Sequence, residues 1–153
     1  MTGLALSRRR FTASMLGALA LAALRPIAAH ATETLGFDDL YGKISVLGLA
    51  FSNKLKSLAG QSVEMRGFMA PPLKAEAQFF VLTEIPMSIC PFCSSDADWP
   101  ANIVVVYLRE RQTFEQANRP IAVSGRLEVG SWTDPETGFV SLVRIVDARF
   151  SSV

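Results

Sequence analysis

Two hydrophobic periods divide this chain, and the change between them falls at Gly60. Before it, Leu40, Tyr41, Ile44, Leu47, Phe51, Leu55 and Leu58 recur at three- and four-residue steps, which predicts one amphipathic helix running from Asp38 to Leu58. Asp38 and Asp39 suit the positive end of such a helix, Lys54 and Lys56 suit its last turn, and Gly60 can close it in a left-handed conformation. After Gly60 the pattern alternates. Val63, Met65, Gly67 and Met69 fall on one side of a strand and Glu64, Arg66 and Phe68 on the other, until Pro71-Pro72 stops it. Phe79 to Thr83 predicts a second strand ended by Pro86, and Ile103 to Leu108, rich in β-branched residues, predicts a buried third. Arg109 to Arg119 is a polar crossing without a clear period. Ile121, Val123, Gly125, Leu127 and Val129 then alternate, the turn Thr133-Asp134-Pro135-Glu136-Thr137-Gly138 follows, and Phe139 to Phe150 returns as the partner of a hairpin.

This order predicts a mainly β fold: a five-stranded barrel like the oligonucleotide/oligosaccharide-binding (OB) type, with the N-terminal amphipathic helix plugging one end. An open β-sandwich accommodates the same strands. Length agrees with a single domain, since 153 residues leave little room for a second core.

The first 31 residues change how composition is read. Ser7-Arg8-Arg9-Arg10-Phe11 precedes an apolar run from Ala13 to Leu24, and Ala29-His30-Ala31 offers a small-residue cleavage site. That arrangement predicts a cleaved signal peptide over residues 1–31 of the twin-arginine type, with residues 32–153 as the exported domain and the periplasm as its destination. An apolar run of this length is well short of the ~20 residues that cross a bilayer. Removing the segment takes four arginines and leaves 11 basic against 14 acidic side chains, a net charge of about −3. No electrostatic case for nucleic acid remains. The one histidine, His30, leaves with the signal, so the exported domain has no imidazole for a Ser-His-Asp or Cys-His centre or for a metal.

Candidate chemistry concentrates between the second and third predicted strands, in Met87-Ser88-Ile89-Cys90-Pro91-Phe92-Cys93 and the following Asp96, Asp98 and Trp99. Both cysteines of the chain are here. Cys90 and Cys93 admit three readings: a small disulfide that staples the loop in an oxidising compartment, a metal site, or a thiol-disulfide exchange pair. Two thiolates are half of a tetrahedral zinc site, and Asp96, Asp98, a second subunit or a client would have to complete it. Copper(I) needs fewer ligands, and Met87 adds a thioether to the two thiols. Met65 and Met69 could add sulfur from the preceding strand, although alternate methionines are more simply core. Asp96 and Asp98 more simply cap a turn. Trp99 most simply anchors the loop, and Trp132 covers the tip of the hairpin. The Cys-Pro-Phe-Cys spacing resembles that of thioredoxin-like oxidoreductases, but there the motif opens a helix in a βαβ unit, and no strand here alternates with a long helix.

Gly67-Phe68-Met69-x-Pro71, Phe79-Phe80-Val81-Leu82, the Cys90-x-x-Cys93 loop, Asn102-Ile103-Val104-Val105-Val106 and Val123-x-Gly125-x-Leu127 together resemble an uncharacterised family of exported bacterial proteins. In that family a Gly-[Phe/Tyr]-Met-x-Pro strand precedes a cysteine-bearing loop, and members are often associated with ABC-type export systems and metal homeostasis. The resemblance implies a transport system or a metal client as partner. The expected function is that of an exported accessory protein, not itself an enzyme, binding copper or zinc through Cys90, Cys93 and Met87. A disulfide-stapled binding module and a thiol-disulfide oxidoreductase are the alternatives.

Overall fold

Alternating side chains on a strand reach opposite faces of its sheet, and residues 62–69 are buried at every second position from Val63 to Met69, as their sequence period requires. The computed structural model describes residues 32–42, 49–71, 78–87 and 99–153; the predicted signal segment and residues 88–98, with Cys90, Cys93, Asp96 and Asp98, lie outside the described residues. Among the described residues the architecture is mainly β, one six-stranded mixed sheet with one short α-helix. In chain order the elements are β1 (Glu33–Thr34), α1 (Asn53–Leu58), β2 (Ser62–Met69), β3 (Phe79–Thr83), β4 (Ile103–Leu108), β5 (Pro120–Thr133) and β6 (Val140–Ser152).

The sheet runs β1-β2-β3-β4-β6-β5, and β5 pairs again with β2, so the hydrogen bonds of β2, β3, β4, β6 and β5 close into a ring. The β1–β2 and β4–β6 pairs are parallel and the others antiparallel. A single ring-closed sheet replaces the two facing sheets of the sandwich alternative. One strand more is present than the five expected. β1 pairs Glu33 and Thr34 with Val63 and Glu64, and Leu35 extends it by donating its N–H to the Glu64 carbonyl at 2.9 Å. It takes the edge of β2 that β3 leaves open, because β3 meets β2 only at Phe68 and Met69.

The main core gathers Val63, Met65 and Met69 from β2, Phe80 and Leu82 from β3, Val104 and Val106 from β4, and inward residues of β5 and β6. Met65 and Met69 are thus core, 0% and 1% exposed, the simpler of the two roles open to them. A second cluster lies on the other face of β3 and β4, where Phe79, Val81, Ile103 and Val105 are covered by Ala70, Trp99 and Phe139. Cover on both faces is why β3 and β4 read as continuous apolar runs instead of alternating ones.

Two glycines permit the close approach of neighbouring strands. A Cβ on Gly67 would lie 2.6 Å from the Thr83 carbonyl oxygen, and one on Gly125 would lie 2.6 Å from Ile145 Cγ2 and 2.7 Å from the Val146 oxygen. Gly125 faces a bulge in β6, where the register shifts between Ser124 and Arg126 and Asp147 adopts a φ of 53°.

The predicted continuous helix from Asp38 to Leu58 is not what forms. Residues Phe37–Asp39 make one 3-10 turn, Tyr41 and Phe51 pair as an antiparallel bridge, and among the described residues of this segment the α-helix is Asn53–Leu58. The Gly42 N–H donates to the Ala50 carbonyl at 2.8 Å beside that bridge, and Ser52 starts the helix afresh by accepting the Leu55 N–H at 2.9 Å. The apolar periodicity records burial all the same, since Leu40, Leu55 and Leu58 all enter the main core. Ser52 also donates its hydroxyl to the Asp39 carbonyl, and Lys54 reaches the Asp39 carboxylate at 2.7 Å. With the Gly36 N–H, that lysine holds the Asp39 carboxyl below its ordinary pKa. Gly60 closes the helix at a φ of 81°, as its position predicts, and donates to the Leu127 carbonyl at 2.8 Å, seating α1 on β5.

Residues Arg109 to Arg119 cross without a helix or strand. Gln112 stands in for one: its side-chain amide donates to the Phe150 carbonyl at 3.0 Å and its oxygen accepts the Phe150 N–H at 3.1 Å, the exchange a neighbouring strand residue would make.

Candidate functional site

The chain leaves the sheet after Thr83 and returns at Ile103, and the ends of that excursion are tied together. The Glu84 N–H donates to the Asn102 carbonyl at 3.2 Å, one step beyond the Thr83–Ile103 pair of the β3–β4 ladder. Thr83, fully buried, places its hydroxyl 2.7 Å from the Ile85 carbonyl and 3.2 Å from the Phe68 carbonyl, so one side chain serves the start of the excursion and the end of β2. On the return, Trp99 is 4% exposed in the second cluster, in agreement with an anchoring role. Met87 is half-buried between these anchors, whereas Ile85 is exposed. Of the expected ligands, Met87 is therefore placed at the edge of the anchored base, and Cys90, Cys93, Asp96 and Asp98 fall within residues 88–98. Among the described residues no group of three or more His, Cys, Asp and Glu side chains gathers as a metal site would require.

Beside this base lies a shallow hollow of about 250 Å³ bordered by Asp38, Tyr41, Leu49, Glu84 and Asn102. Its borders come from the folded-back segment before α1 and from the two ends of the excursion.

A larger cleft, about 440 Å³, opens at the opposite end of β3 and β4, against the turn between β5 and β6. The turn is built around Asp134. Its Oδ1 accepts the N–H groups of Glu136 and Thr137 at 2.8 and 3.1 Å, its carbonyl accepts the Gly138 N–H at 2.8 Å, and its N–H donates to the Phe139 carbonyl at 2.9 Å. Gly138 has a φ of 71°, the left-handed step that the turn needs. The remaining oxygen, Oδ2, accepts the Tyr107 hydroxyl at 3.0 Å. Burial acts to raise the Asp134 pKa, but the two backbone donors and the tyrosine outweigh it and hold the carboxyl below its ordinary value. The same burial, together with the adjacent carboxylate, pushes the Tyr107 phenol well above its usual range.

Aromatic rings make the cleft wall. Tyr107 stacks on Phe79 at 5.3 Å and meets Trp132 edge-to-face at 5.4 Å, while Arg144 lies over the Trp132 ring at 5.1 Å. Arg144 is itself fixed by Glu128 at 2.9 Å and by the Gly130 carbonyl at 2.9 Å. The sequence pattern assigns Tyr107 to a buried strand and Trp132 to the hairpin tip. Nothing in the spacing signals that they meet, although the Asp-Pro-Glu-Thr-Gly turn beside Trp132 is a legible part of the same cleft.

No protein-family model matches this chain, and no curated protein matches it. Among solved structures it is similar to the crystal structure of a DUF3299 family protein from Pseudomonas aeruginosa PAO1. The TM-score is 0.52 at 14% sequence identity, over 80% of this chain and 97% of that one. At such identity the likeness is one of fold.

Proposed function

We propose that this chain is an exported accessory protein of the bacterial periplasm that holds a soft transition metal, copper(I) before zinc, on the segment containing Met87, Cys90 and Cys93. The observation that carries the reading is the anchored excursion between β3 and β4. Glu84 and Asn102 close its base, Thr83 and Trp99 fasten its ends, and the chain's two thiols and the Met87 thioether all lie within it. The closed hydrogen-bond ring, with its meander β2-β3-β4 and its hairpin β5-β6, supports an OB-like barrel as the platform. A twin-arginine signal over residues 1–31 delivers the domain of residues 32–153, and β1 begins at Glu33, just past the proposed cleavage point. A transport system or a metal client is the partner that the family resemblance suggests.

Titration of the reduced protein with copper(I) against a competing chelator, paired with a free-thiol count on protein taken directly from the periplasm, tests this. About one copper per chain or per dimer, lost on substitution of either cysteine, is expected. Complete disulfide in the isolated protein with no competitive metal binding after reduction overturns it in favour of a structural staple. A labile, oxidising Cys90–Cys93 couple would instead mark exchange chemistry.

A further inference from the structure

We propose that β1 is a latch on signal removal: the exported precursor is cut after Ala31 only when β1 lifts from β2 and Leu35 leaves the core. The inference rests on the export route proposed above and adds a timing step to it. Spacing sets the problem. Thr32 alone separates the proposed scissile bond from Glu33, the first residue paired with β2, through Val63. A protease takes the backbone on both sides of the bond it cuts as an extended chain, so the residues after the cut must be free of other pairing.

Glu33 and Thr34 give way first. Both side chains are exposed, and a strand end held without apolar burial frays readily. Their release frees the chain from Thr32 to Thr34, an extended reach of about 10 Å, no more than the ~10–12 Å width of one helix with its side chains. The apolar run of the signal keeps the cut at the membrane, and a folded domain on so short a tether stands in the way of the protease. Leu35 is where release meets resistance. Its side chain is 1% exposed within the main core, and its N–H donates to the Glu64 carbonyl at 2.9 Å. Behind it the Gly36 N–H is held by the Asp39 carboxylate at 3.0 Å, and Lys54 fixes that carboxylate at 2.7 Å. Fraying therefore ends at Leu35. A longer reach requires Leu35 to leave the core, and the rate of cutting then follows the fraction of precursor in which it is out. A twin-arginine route delivers the domain already folded, so the latch is closed when the precursor arrives.

Pulse-chase of the full-length precursor in a bacterial host with a twin-arginine pathway reads its conversion to mature protein, and mass spectrometry of the mature N-terminus fixes the cut site. Inserting Gly-Ser-Gly-Ser-Gly-Ser between Thr32 and Glu33 leaves Ala29 to Thr32 and every core side chain unchanged, and should speed conversion about tenfold. Leu35→Ala should speed it as well, and hydrogen exchange at the residue-35 amide of the purified precursor should rise in step. If Leu35→Ala fails to fold, the insertion, which touches no core residue, decides alone. Equal conversion rates with and without the insertion, both precursors being cut after Ala31, overturn the latch and leave the export reading standing. No cut after Ala31 in either precursor overturns both.

Discussion

The Tyr107 hydroxyl donates to Asp134 Oδ2 at 3.0 Å, so a residue of β4 fastens the turn that joins β5 to β6. Tyr107→Phe keeps the ring stacked on Phe79 but strips the buried carboxylate oxygen of its donor. Chemical denaturation should show a loss of about 1–3 kcal/mol.

Asp134 gives the same contact a pH dependence. Its folded pKa lies below its ordinary value of 3.8, so its contribution is fully present above that value and is lost as the pH falls through the lower folded value. Tyr107 acts at the other end. Its folded pKa lies above the ordinary 10.0, so its contribution is complete below pH 10 and is lost as the pH rises beyond it. Stability curves measured from pH 2 to pH 11 should fall at both extremes, and Asp134→Asn should flatten the acid limb specifically.

Gly67 and Gly125 should tolerate no side chain. In each case a methyl group would meet a neighbouring strand's backbone, the Thr83 carbonyl or the Val146 carbonyl, and backbone cannot rotate away. Gly67→Ala and Gly125→Ala should each cost about 1–3 kcal/mol or more in thermal or urea unfolding. Both glycines sit in the motifs that carry the family resemblance, so those motifs have a packing reason that is separate from metal chemistry.

Asp147 occupies the left-handed region at a φ of 53° in the β6 bulge. Asp is among the few non-glycine residues that visit this region with ease. Asp147→Val should therefore destabilise by about 1–2 kcal/mol, whereas Asp147→Gly should be close to neutral. The exposed 3.4 Å pair with Arg126, lost in both, adds little to either.

On the proposed twin-arginine route, which carries proteins that fold before crossing, replacing both Cys90 and Cys93 by Ser should lower stability by on the order of 1–3 kcal/mol and still allow export. Immunodetection in the periplasmic fraction checks this, and complete disappearance of the double mutant would show that a staple or a metal is needed for folding. At the proposed copper(I) site of the reduced protein, Met87→Leu should weaken binding without abolishing it.

Strands β2 to β6 were legible because an inward-outward period or a β-branched run marks each of them, and the Asp134 turn because its residues match turn chemistry. β1 was not, since two residues hold no period and its pairing depends on an edge that only the folded sheet leaves vacant. The segment from Leu40 to Phe51 misled for a different reason. Apolar residues at three- and four-residue steps mark burial, and a chain whose Tyr41 pairs antiparallel with Phe51 buries Leu40 as well as a helix would. The cleft was hidden because Tyr107 and Trp132 belong to different strands, and each taken alone resembles packing. The thiol pair is legible in the sequence as a concentration of chemistry, yet its spacing alone does not separate a staple from a metal site, and only the missing βαβ context weighs against an exchange pair.

The strand that completes the hydrogen-bond ring is the last of the ring to be made. β6 pairs with β4 on one side and β5 on the other, and without it the row β5-β2-β3-β4 is left with two bare edges. A nascent chain on the ribosome therefore cannot finish folding while Val140–Ser152 is still unmade, however early the preceding strands emerge. Until then those edges are open to any passing strand, so arrested translation products of this gene should be bound by chaperones or degraded, and should not accumulate as partly folded protein.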